Sequence, residues 1–263
     1  MIYVTGADGF VGSHLCWKLQ AEGIEFKRMQ CGLLSYPLLL KELKGCDIIV
    51  HLAALKDIEE GEKYPFHYFQ NNVEGTFALV KAALENKVER IVFASSLAAK
   101  YTPSTYGLTK RLSEQIIAYY AESTNPVSLR FASIWDKDHG TIALFRKLDP
   151  ITIYGNGWQK RDFVHVSDAV EALLMGCYTL SGCYDVGSGE GITINDLAHL
   201  YGKEVVHKWD RDPGPPYSVA NPSHFPPGWK PKINFRDVIQ EWRNDNSTSE
   251  ADTKKTIKKP LPI

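Results

Sequence analysis

Near its beginning the chain reads Ile2-Tyr3-Val4-Thr5-Gly6-Ala7-Asp8-Gly9-Phe10-Val11-Gly12. The apolar, β-branched start predicts a buried strand, and the regularly spaced glycines predict a tight turn into a helix. Gly6 allows the turn, Gly9 lets the backbone approach a pyrophosphate, and Gly12 lets the helix pack closely on the strand. The N–H groups of the first helical turn then face the phosphates. The segment predicts a dinucleotide site that includes Gly6, Gly9, Phe10, Val11 and Gly12.

Outward from this segment, apolar strands alternate with amphipathic helices through the first half of the chain. Continuous apolar strands separated by helices are typical of a parallel sheet covered on both faces. We therefore predict an α/β fold, a Rossmann-like doubly wound parallel sheet with a small C-terminal substrate lobe. Strands are predicted at residues 2–5, 24–29, 47–52, 90–94 and 127–131, and helices at 10–22, 36–43, 65–85 and 105–121.

The second half of the chain is less regular, with a proline-rich stretch at residues 212–231. Its predicted elements are strands at 151–153 and 183–186 and helices at 166–175, 194–200 and 235–242. We assign residues 1–132 and a returning segment at about 162–187 to the dinucleotide-binding domain. The small lobe takes about 133–161 and 188–243. The polar, lysine-rich residues 244–263 are predicted to be a disordered tail.

Bulk composition excludes several classes of function. The 30 Lys and Arg residues are balanced by 31 Asp and Glu, so no basic excess indicates a nucleic-acid partner. No apolar run approaches the roughly 20 residues that cross a bilayer, so no membrane association is expected. The five cysteines are single and no ligand spacing for a metal occurs, which favours a reduced, cytoplasmic setting without a metal site.

A catalytic set is indicated around Tyr106-Gly107-Leu108-Thr109-Lys110, at the start of a predicted helix. Residues four apart lie on one helical face, so the Lys110 ammonium is expected to lower the pKa of Tyr106 and make it an acid/base group. Ser96 ends the preceding strand, where its hydroxyl can reach a substrate oxygen. The set predicts oxidation or reduction of a carbinol, with Ser96, Tyr106 and Lys110 as catalytic residues.

The end of the second strand bears on the choice of cofactor. An acidic residue there holds a ribose hydroxyl in many dinucleotide sites, but this chain has Gln30 at that place. Lys27 and Arg28 come just before it. Arg28 could bind a 2'-phosphate, which would select NADP, or it could be a solvated strand end. The expected cofactor is NAD, with NADP left open.

Several segments together resemble the extended short-chain dehydrogenase/reductase family, in its NAD-dependent nucleotide-sugar epimerase/dehydratase branch. Besides the glycine-rich start and the Tyr106–Lys110 motif, the similar segments are His51-Leu52-Ala53-Ala54-Leu55-Lys56, Asn71-Asn72-Val73-Glu74-Gly75-Thr76, Leu129-Arg130-Phe131, Arg161-Asp162-Phe163-Val164-His165-Val166-Ser167-Asp168 and Tyr184-Asp185-Val186-Gly187-Ser188-Gly189. The resemblance covers about residues 1–243. It implies a homodimer and a nucleotide-sugar substrate.

The resemblance also implies roles for individual residues. Lys110 would bind the cofactor ribose as well as tune Tyr106, and Asn72 would bind the catalytic strand by polar contacts. The cofactor would further contact Leu52, Ala53, Ala54, Lys56 and Asn72. The substrate would be bound by Ser96, Tyr106, Ser133, Arg161 and Arg211, the two arginines through bidentate pairing with its diphosphate.

Departures from the family pattern narrow the expected reaction. Only nine residues separate Ser96 from Tyr106, and Leu97 and Ala98 stand where related dehydratases carry an Asp and a Lys. Dehydration therefore lacks its second acid/base pair. Within the resemblance, epimerisation of a nucleotide sugar, at C4, is the leading hypothesis. The alternative is an NADPH-dependent reductase of 4-keto-deoxysugars. A dehydratase and a cofactor-sensing protein without turnover are the remaining hypotheses.

Overall fold

The computed structural model describes residues 1–101 and 104–244. In the first half, successive strands are separated by one or more helical segments. They are β1 (Ile2–Thr5), α1 (Phe10–Ala21), β2 (Phe26–Arg28), α2 (Tyr36–Glu42), β3 (Ile48–His51), α3 (Ile58–Lys63), α4 (Pro65–Tyr68), a π-helical segment (Phe69–Glu74), α5 (Gly75–Glu85), β4 (Arg90–Ser96), α6 (Ala98–Tyr101), α7 (Thr105–Tyr120) and β5 (Val127–Phe131).

The second half contributes shorter elements and one further strand of the main sheet. They are β6 (Ser133–Trp135), α8 (Gly140–Lys147), β7 (Ile151–Tyr154), β8 (Lys160–Arg161), β9 (Phe163–His165), α9 (Val166–Tyr178), β10 (Gly182–Val186), β11 (Ile192–Thr193), α10 (Ile194–His199), β12 (Val205–Lys208), β13 (Tyr217–Ser218) and a final helix, α11, at 235–244.

The main sheet is parallel throughout and has the strand order β10-β5-β4-β3-β1-β2. The order reverses between β1 and β3, and ligands of open α/β sheets bind at the carboxyl ends of the strands beside such a reversal. The glycine-rich turn after β1 and the loop after β3 both lie there. The predicted α/β, doubly wound fold is confirmed.

Helices cover both faces of the sheet because neighbouring residues of each strand point to opposite sides. Tyr3 faces a core formed with α2, α5 and α7, whereas Val4 faces a core formed with α1 and α9. Both side chains are almost fully buried. A third core includes Trp135, Ile153 and Phe235 and holds the later, shorter elements together. The continuous apolar strands of the sequence are thus explained by burial on two sides.

The helix predicted at 65–85 is interrupted by the π-helical segment, so the expectation of one regular helix is corrected. Asn72 lies in this segment, and its carbonyl oxygen accepts hydrogen bonds from the hydroxyls of Thr76 at 2.5 Å and Ser113 at 2.9 Å. Side-chain hydroxyls that compete for a helical carbonyl are a known cause of local helix distortion.

Two further expectations concern the C-terminal part of the chain, its last helix and the predicted tail. The helix expected at 235–242 extends to residue 244, so the predicted tail does not include that residue. Residues 245–263, to which the rest of the tail prediction refers, lie outside the described part of the structure. Over the residues that are described, no helix combines the length and the apolar character that crossing a membrane requires.

Candidate active site

The glycine-rich turn leaves no room for side chains at two of its glycines. Gly6 has φ +66°, and a Cβ there would lie 2.7 Å from the backbone nitrogen of Ala53. A Cβ on Gly12 would lie 2.1 Å from the carbonyl oxygen of Gly6. At Gly9 the nearest atom would be 3.2 Å away, and the residue is exposed where α1 begins. The turn therefore presents bare backbone beside a helix N-terminus, as a pyrophosphate site requires.

The loop after β3 is fastened directly to the end of β1. The Thr5 hydroxyl accepts hydrogen bonds from the backbone nitrogens of Leu52 at 3.2 Å and Ala53 at 3.1 Å. Leu52, Ala53 and Ala54 are partly buried against the glycine-rich turn, whereas Lys56 is exposed farther along the loop. The structure thus brings the two predicted cofactor segments together.

Phe10 and Val11 open α1 and are partly buried. The Phe10 ring is stacked on His139, with centroids 4.4 Å apart, and meets His14 edge-on. His139 and His14 both approach the carboxylate of Asp136, at 3.0 Å and 3.7 Å. Asp136 and His139, from the loop before α8, were not predicted, and they link the later part of the chain to the first turn of α1.

Arg28, the residue on which the NADP alternative depends, ends β2. Its guanidinium donates to the carboxylate of Asp8 in the glycine-rich turn, at 2.9 Å. The two residues are twenty positions apart, which is why the pair was not visible as a local pattern. Both residues are exposed, so Arg28 lies at a solvated strand end with an ion-pair partner at the surface.

Ser96 and Tyr106 meet where β4 ends and α7 begins. Ser104 caps α7 by accepting from the backbone nitrogen of Gly107 at 3.0 Å, which fixes the turn that carries Tyr106. The Ser96 hydroxyl accepts from the backbone nitrogen of Ala98 at 3.1 Å. Burial raises the pKa of Tyr106 to about 12, although a hydrogen bond with Ser96 acts in the opposite direction. Tyr106 is therefore protonated at neutral pH in this structure.

Lys110 is buried one helical turn after Tyr106. Its ammonium donates to the carbonyl oxygen of Ala94 at 2.7 Å and lies 4.7 Å from the ring centroid of Phe93. Burial lowers the pKa of Lys110 to about 7, against a smaller opposing effect of Glu114. The expected lowering of the Tyr106 pKa by Lys110 is wrong for this structure, because burial dominates and the ammonium is turned toward Ala94.

Glu114, one further turn along α7, was missed by the sequence analysis. Its carboxylate receives a two-pronged ion pair from Arg130 on β5, at 2.8 and 2.6 Å, and a hydrogen bond from the Ser95 hydroxyl on β4. These contacts hold α7 against both strands. The signal was available in the spacing, because Tyr106, Lys110 and Glu114 repeat every four residues and so share a helical face.

Asn72 does not hydrogen-bond to β4, the strand that ends at Ser96, so the expected contact with that strand is corrected. Its carboxamide binds the backbone of Leu55 through both atoms, at 2.8 and 2.9 Å, and donates to the Thr109 hydroxyl at 3.1 Å. The side chain is 2% exposed. Asn72 therefore ties the loop after β3 to α7, since the distorted backbone around it brings the carboxamide between them.

The predicted substrate residues lie on the later elements. Arg161 is held by the proline-rich stretch, donating to the carbonyl oxygens of Pro213 at 2.8 Å and Pro215 at 2.7 Å. Burial lowers its pKa. Arg211 pairs with Glu59 of α3 at 2.5 Å and lies over the Tyr154 ring. Ser133 is exposed at the start of β6. Both arginines thus have protein partners in this structure.

Two buried carboxylates shape the neighbouring loops. Asp162 accepts from the backbone nitrogens of Ser188, Gly189 and Ala220 at 2.8 to 3.1 Å, and fixes the loop after β10. Lys100, in the short segment between Ser96 and Tyr106, pairs with Asp185 of β10 at 3.0 Å. Lys100 is therefore directed toward a structural carboxylate. Within residues 1–101 and 104–244, no cluster of three or more His, Cys, Asp or Glu side chains could hold a metal ion.

The fold and the site define a class of protein: a dinucleotide-binding α/β enzyme with a serine, tyrosine and lysine at the carboxyl end of its sheet. The chain belongs to the NAD dependent epimerase/dehydratase family, whose model matches residues 2–179.

Individual relatives agree with this family. A UDP-glucose 4-epimerase of Bacillus subtilis is 25% identical, over 94% of this chain and 97% of the relative. One of Halalkalibacterium halodurans is 25% identical, over 91% and 93%. The solved Thermus thermophilus UDP-glucose 4-epimerase in complex with NAD is 26% identical, with a TM-score of 0.79 over 90% of this chain and 96% of that chain.

Proposed function

We propose that this protein is an NAD-dependent nucleotide-sugar epimerase that inverts C4 of a UDP-linked sugar. The observation that carries the proposal is the position of Ser96, Tyr106 and the buried Lys110. They lie at the carboxyl end of the parallel sheet, where the glycine-rich turn also lies. The relatives named UDP-glucose 4-epimerase support the choice of reaction and nucleotide.

The residues present fit a dinucleotide. Gly6 and Gly12 let the turn pack directly on the Ala53 backbone and on the start of α1, where a Cβ would clash, and the exposed Gly9 lies at the N-terminus of α1. Phe10 and Val11 would lie along the pyrophosphate, and Leu52, Ala53, Ala54 and Lys56 would line the same cofactor from the loop after β3. Asn72 would support that loop. When bound, NAD supplies a hydride acceptor, and its positively charged ring favours the tyrosinate over the phenol.

The protein's part of the reaction is to move one proton and to hold the sugar. Tyr106 would take the proton of the C4 hydroxyl as hydride leaves the carbon, and would return a proton after the keto sugar has turned over. Ser96 would hydrogen-bond the same oxygen. Lys110, one helical turn after Tyr106 on α7, would hold a ribose of the cofactor.

Recognition of the diphosphate would fall to Arg161 and Arg211, with Ser133 nearby. Guanidinium groups pair with phosphate oxygens in a bidentate geometry, which suits both residues. Arg211 would exchange its carboxylate partner Glu59 for the diphosphate. The division into a dinucleotide-binding domain and a small substrate lobe, with the boundaries given above, stays part of this proposal.

The alternative functions have less support. A reductase selecting NADPH would need Arg28 for a 2'-phosphate, whereas the family is NAD dependent and the solved Thermus thermophilus relative is a complex with NAD. A dehydratase would need an acid/base pair after Ser96, where Leu97 is buried and Lys100 pairs with Asp185. A cofactor sensor would not need Ser96, Tyr106 and Lys110 together.

We also propose a cytoplasmic homodimer. The outer faces of α4, α5 and α7 expose aromatic rings, and Phe77 meets Tyr120 edge-on while Tyr119 remains 79% exposed. A contiguous apolar patch of this kind is typical of a protein interface. A second copy of the chain, contributing the same helices, is the proposed occupant.

The test is turnover of a panel of UDP-, dTDP-, GDP- and CDP-linked sugars, followed by NMR with NAD present. We expect interconversion of a UDP-sugar pair that differ at C4, and its loss by about 100-fold or more in Tyr106→Phe, because only the proton-exchanging oxygen is removed. NAD affinity measured by calorimetry should stay nearly unchanged in that variant. Wild-type turnover by Tyr106→Phe would exclude the mechanism.

A further inference from the structure

His51 lies between the proposed cofactor turn and the catalytic helix. It ends β3, is 1% exposed, and uses both ring nitrogens. Nδ1 lies 2.8 Å from the hydroxyl oxygen of Thr5, the residue before the glycine-rich turn. Nε2 lies 3.0 Å from the hydroxyl oxygen of Thr76 in α5. The ring thus joins the end of β1 to α5.

The neighbours of the ring determine where its proton is. The Thr5 oxygen already accepts from two backbone nitrogens, those of Leu52 and Ala53, so its own hydrogen is free to go to Nδ1. The Thr76 hydroxyl gives its hydrogen to the carbonyl oxygen of Asn72, so it can accept from Nε2. These directions are consistent only with a neutral His51 protonated on Nε2.

The chain of hydrogen bonds continues beyond the ring at both ends. At one end, the Leu52 and Ala53 backbone packs against Gly6, where a Cβ would not fit. At the other end, the Asn72 carboxamide donates to the Thr109 hydroxyl, which donates to the carbonyl oxygen of Tyr106 at 2.8 Å. Thr5, His51, Thr76 and Asn72, which we call the His51 bridge, therefore connect the cofactor turn with the turn that carries Tyr106.

We propose that His51 is a positioning residue. Its neutral ring, protonated on Nε2, fixes the position of the cofactor turn relative to Tyr106. The proposal rests on the proposed function for its catalytic consequence. Histidine suits the place because one rigid ring accepts on one side and donates on the other. Asparagine can reproduce only the Nδ1 side, and glutamine only the Nε2 side.

Two substitutions test the two ends of the His51 bridge one at a time. His51→Asn keeps an acceptor for Thr5 and loses the donor to Thr76, so we expect NAD affinity within about threefold of wild type and kcat reduced about tenfold, as for one lost buried hydrogen bond. His51→Gln keeps the donor to Thr76 and should weaken NAD about tenfold while kcat at saturating NAD changes less than about threefold. A residue that only stabilises the fold would give no such opposite pattern.

The proton position is tested directly by NMR of protein with ¹⁵N-labelled histidine. Among the eight histidines, one should keep the neutral Nε2–H pattern from pH 8 to pH 5, and its signals should disappear in His51→Asn. A His51 protonated on Nδ1, or one that gains a second proton near pH 6.5, would overturn the proposal. Equal effects of both variants on NAD affinity and kcat would overturn it as well.

The outcomes also separate this proposal from the proposed function. If wild-type protein converts no nucleotide sugar, the function is wrong, while NAD affinity and the histidine spectra still decide the role of His51. If either His51 variant does not fold, Thr76→Val replaces it, because the substitution removes only the hydroxyl on the Nε2 side. That variant should lower kcat and leave NAD affinity unchanged; a change in NAD affinity alone would count against the bridge.

Discussion

The Lys110 ammonium lies 2.7 Å from the carbonyl oxygen of Ala94 and is buried between α7 and β4. A buried lysine is costly to protonate, and burial accordingly lowers its pKa to about 7. Unfolded lysine has a pKa of about 10.4, so the unfolded state holds more protons between pH 7 and pH 10. The contribution of Lys110 to stability should therefore rise with pH across that window.

We expect Lys110→Met to raise the free energy of unfolding by about 2 kcal/mol at pH 7, because the methionine removes a buried charge and keeps most of the packing. The difference from wild type should shrink as the pH approaches 10. Chemical denaturation at several pH values measures both. Lys100→Met is the matched control: its ion pair with Asp185 raises the Lys100 pKa against the effect of burial, so this variant should be destabilised. Turnover should be lost in Lys110→Met, with weaker NAD binding.

Gly9 and Gly12 should respond differently to added side chains. Gly12→Ala would place a Cβ 2.1 Å from the Gly6 oxygen, so we expect a loss of about 2–3 kcal/mol in unfolding free energy. Gly9→Val would place its Cβ 3.2 Å from the Gly6 carbonyl oxygen, a much smaller clash than at Gly12, and we expect a folded protein with NAD affinity at least about tenfold weaker. Thermal unfolding measures the change in stability, and calorimetry measures the change in NAD affinity. Gly32→Ala, whose Cβ would meet only Ser35 at 4.0 Å, should leave both quantities unchanged.

The homodimer prediction depends on the aromatic patch of α5 and α7. Tyr119→Lys, or Phe77→Lys, would place a charge in the proposed interface and should convert the dimer to a monomer at micromolar concentration. Light scattering measures the mass. Trp17→Lys changes a ring on α1 that is nearly as exposed as Tyr119 and lies on the other face of the sheet, so it should leave the dimer intact. A wild-type monomer would contradict the prediction.

How far the sequence predicts this structure depends on how local each interaction is. The strand at 127–131 was placed correctly, and α1 and α7 were placed to within one residue, because their patterns repeat over short distances. The π-helical segment was not foreseen, since only one of the two hydroxyls that bind the Asn72 carbonyl is local: Thr76 is four residues away, but Ser113 is 41 residues away. The two-residue strands β8, β11 and β13 are too short to carry a period.

The same distinction between local and long-range interactions applies to the candidate site. The glycine-rich turn and the Tyr106–Lys110 spacing are local, so the sequence found them. The raised pKa of Tyr106 results from burial, which the folded chain creates and no short motif records. The partners of Arg28 and Arg211 are Asp8 and Glu59, each distant in sequence and brought close only by the sheet topology.

The last prediction concerns the ion pair between Arg211 and Glu59, which joins α3 to the residue just before the proline-rich stretch. If Arg211 binds the substrate diphosphate, Glu59 competes with the phosphate oxygens for the same guanidinium. Glu59→Gln should then lower the KM for the sugar nucleotide by about twofold to fivefold with kcat unchanged, as an exposed pair contributes up to about 1 kcal/mol. Arg211→Met should raise KM at least about tenfold, because a charge-assisted pair to phosphate is lost. Steady-state kinetics measures both, and Glu89→Gln, exposed before β4, is the control that should change neither. A KM that rises in Glu59→Gln would mean that Glu59 positions Arg211 for binding instead of competing for it.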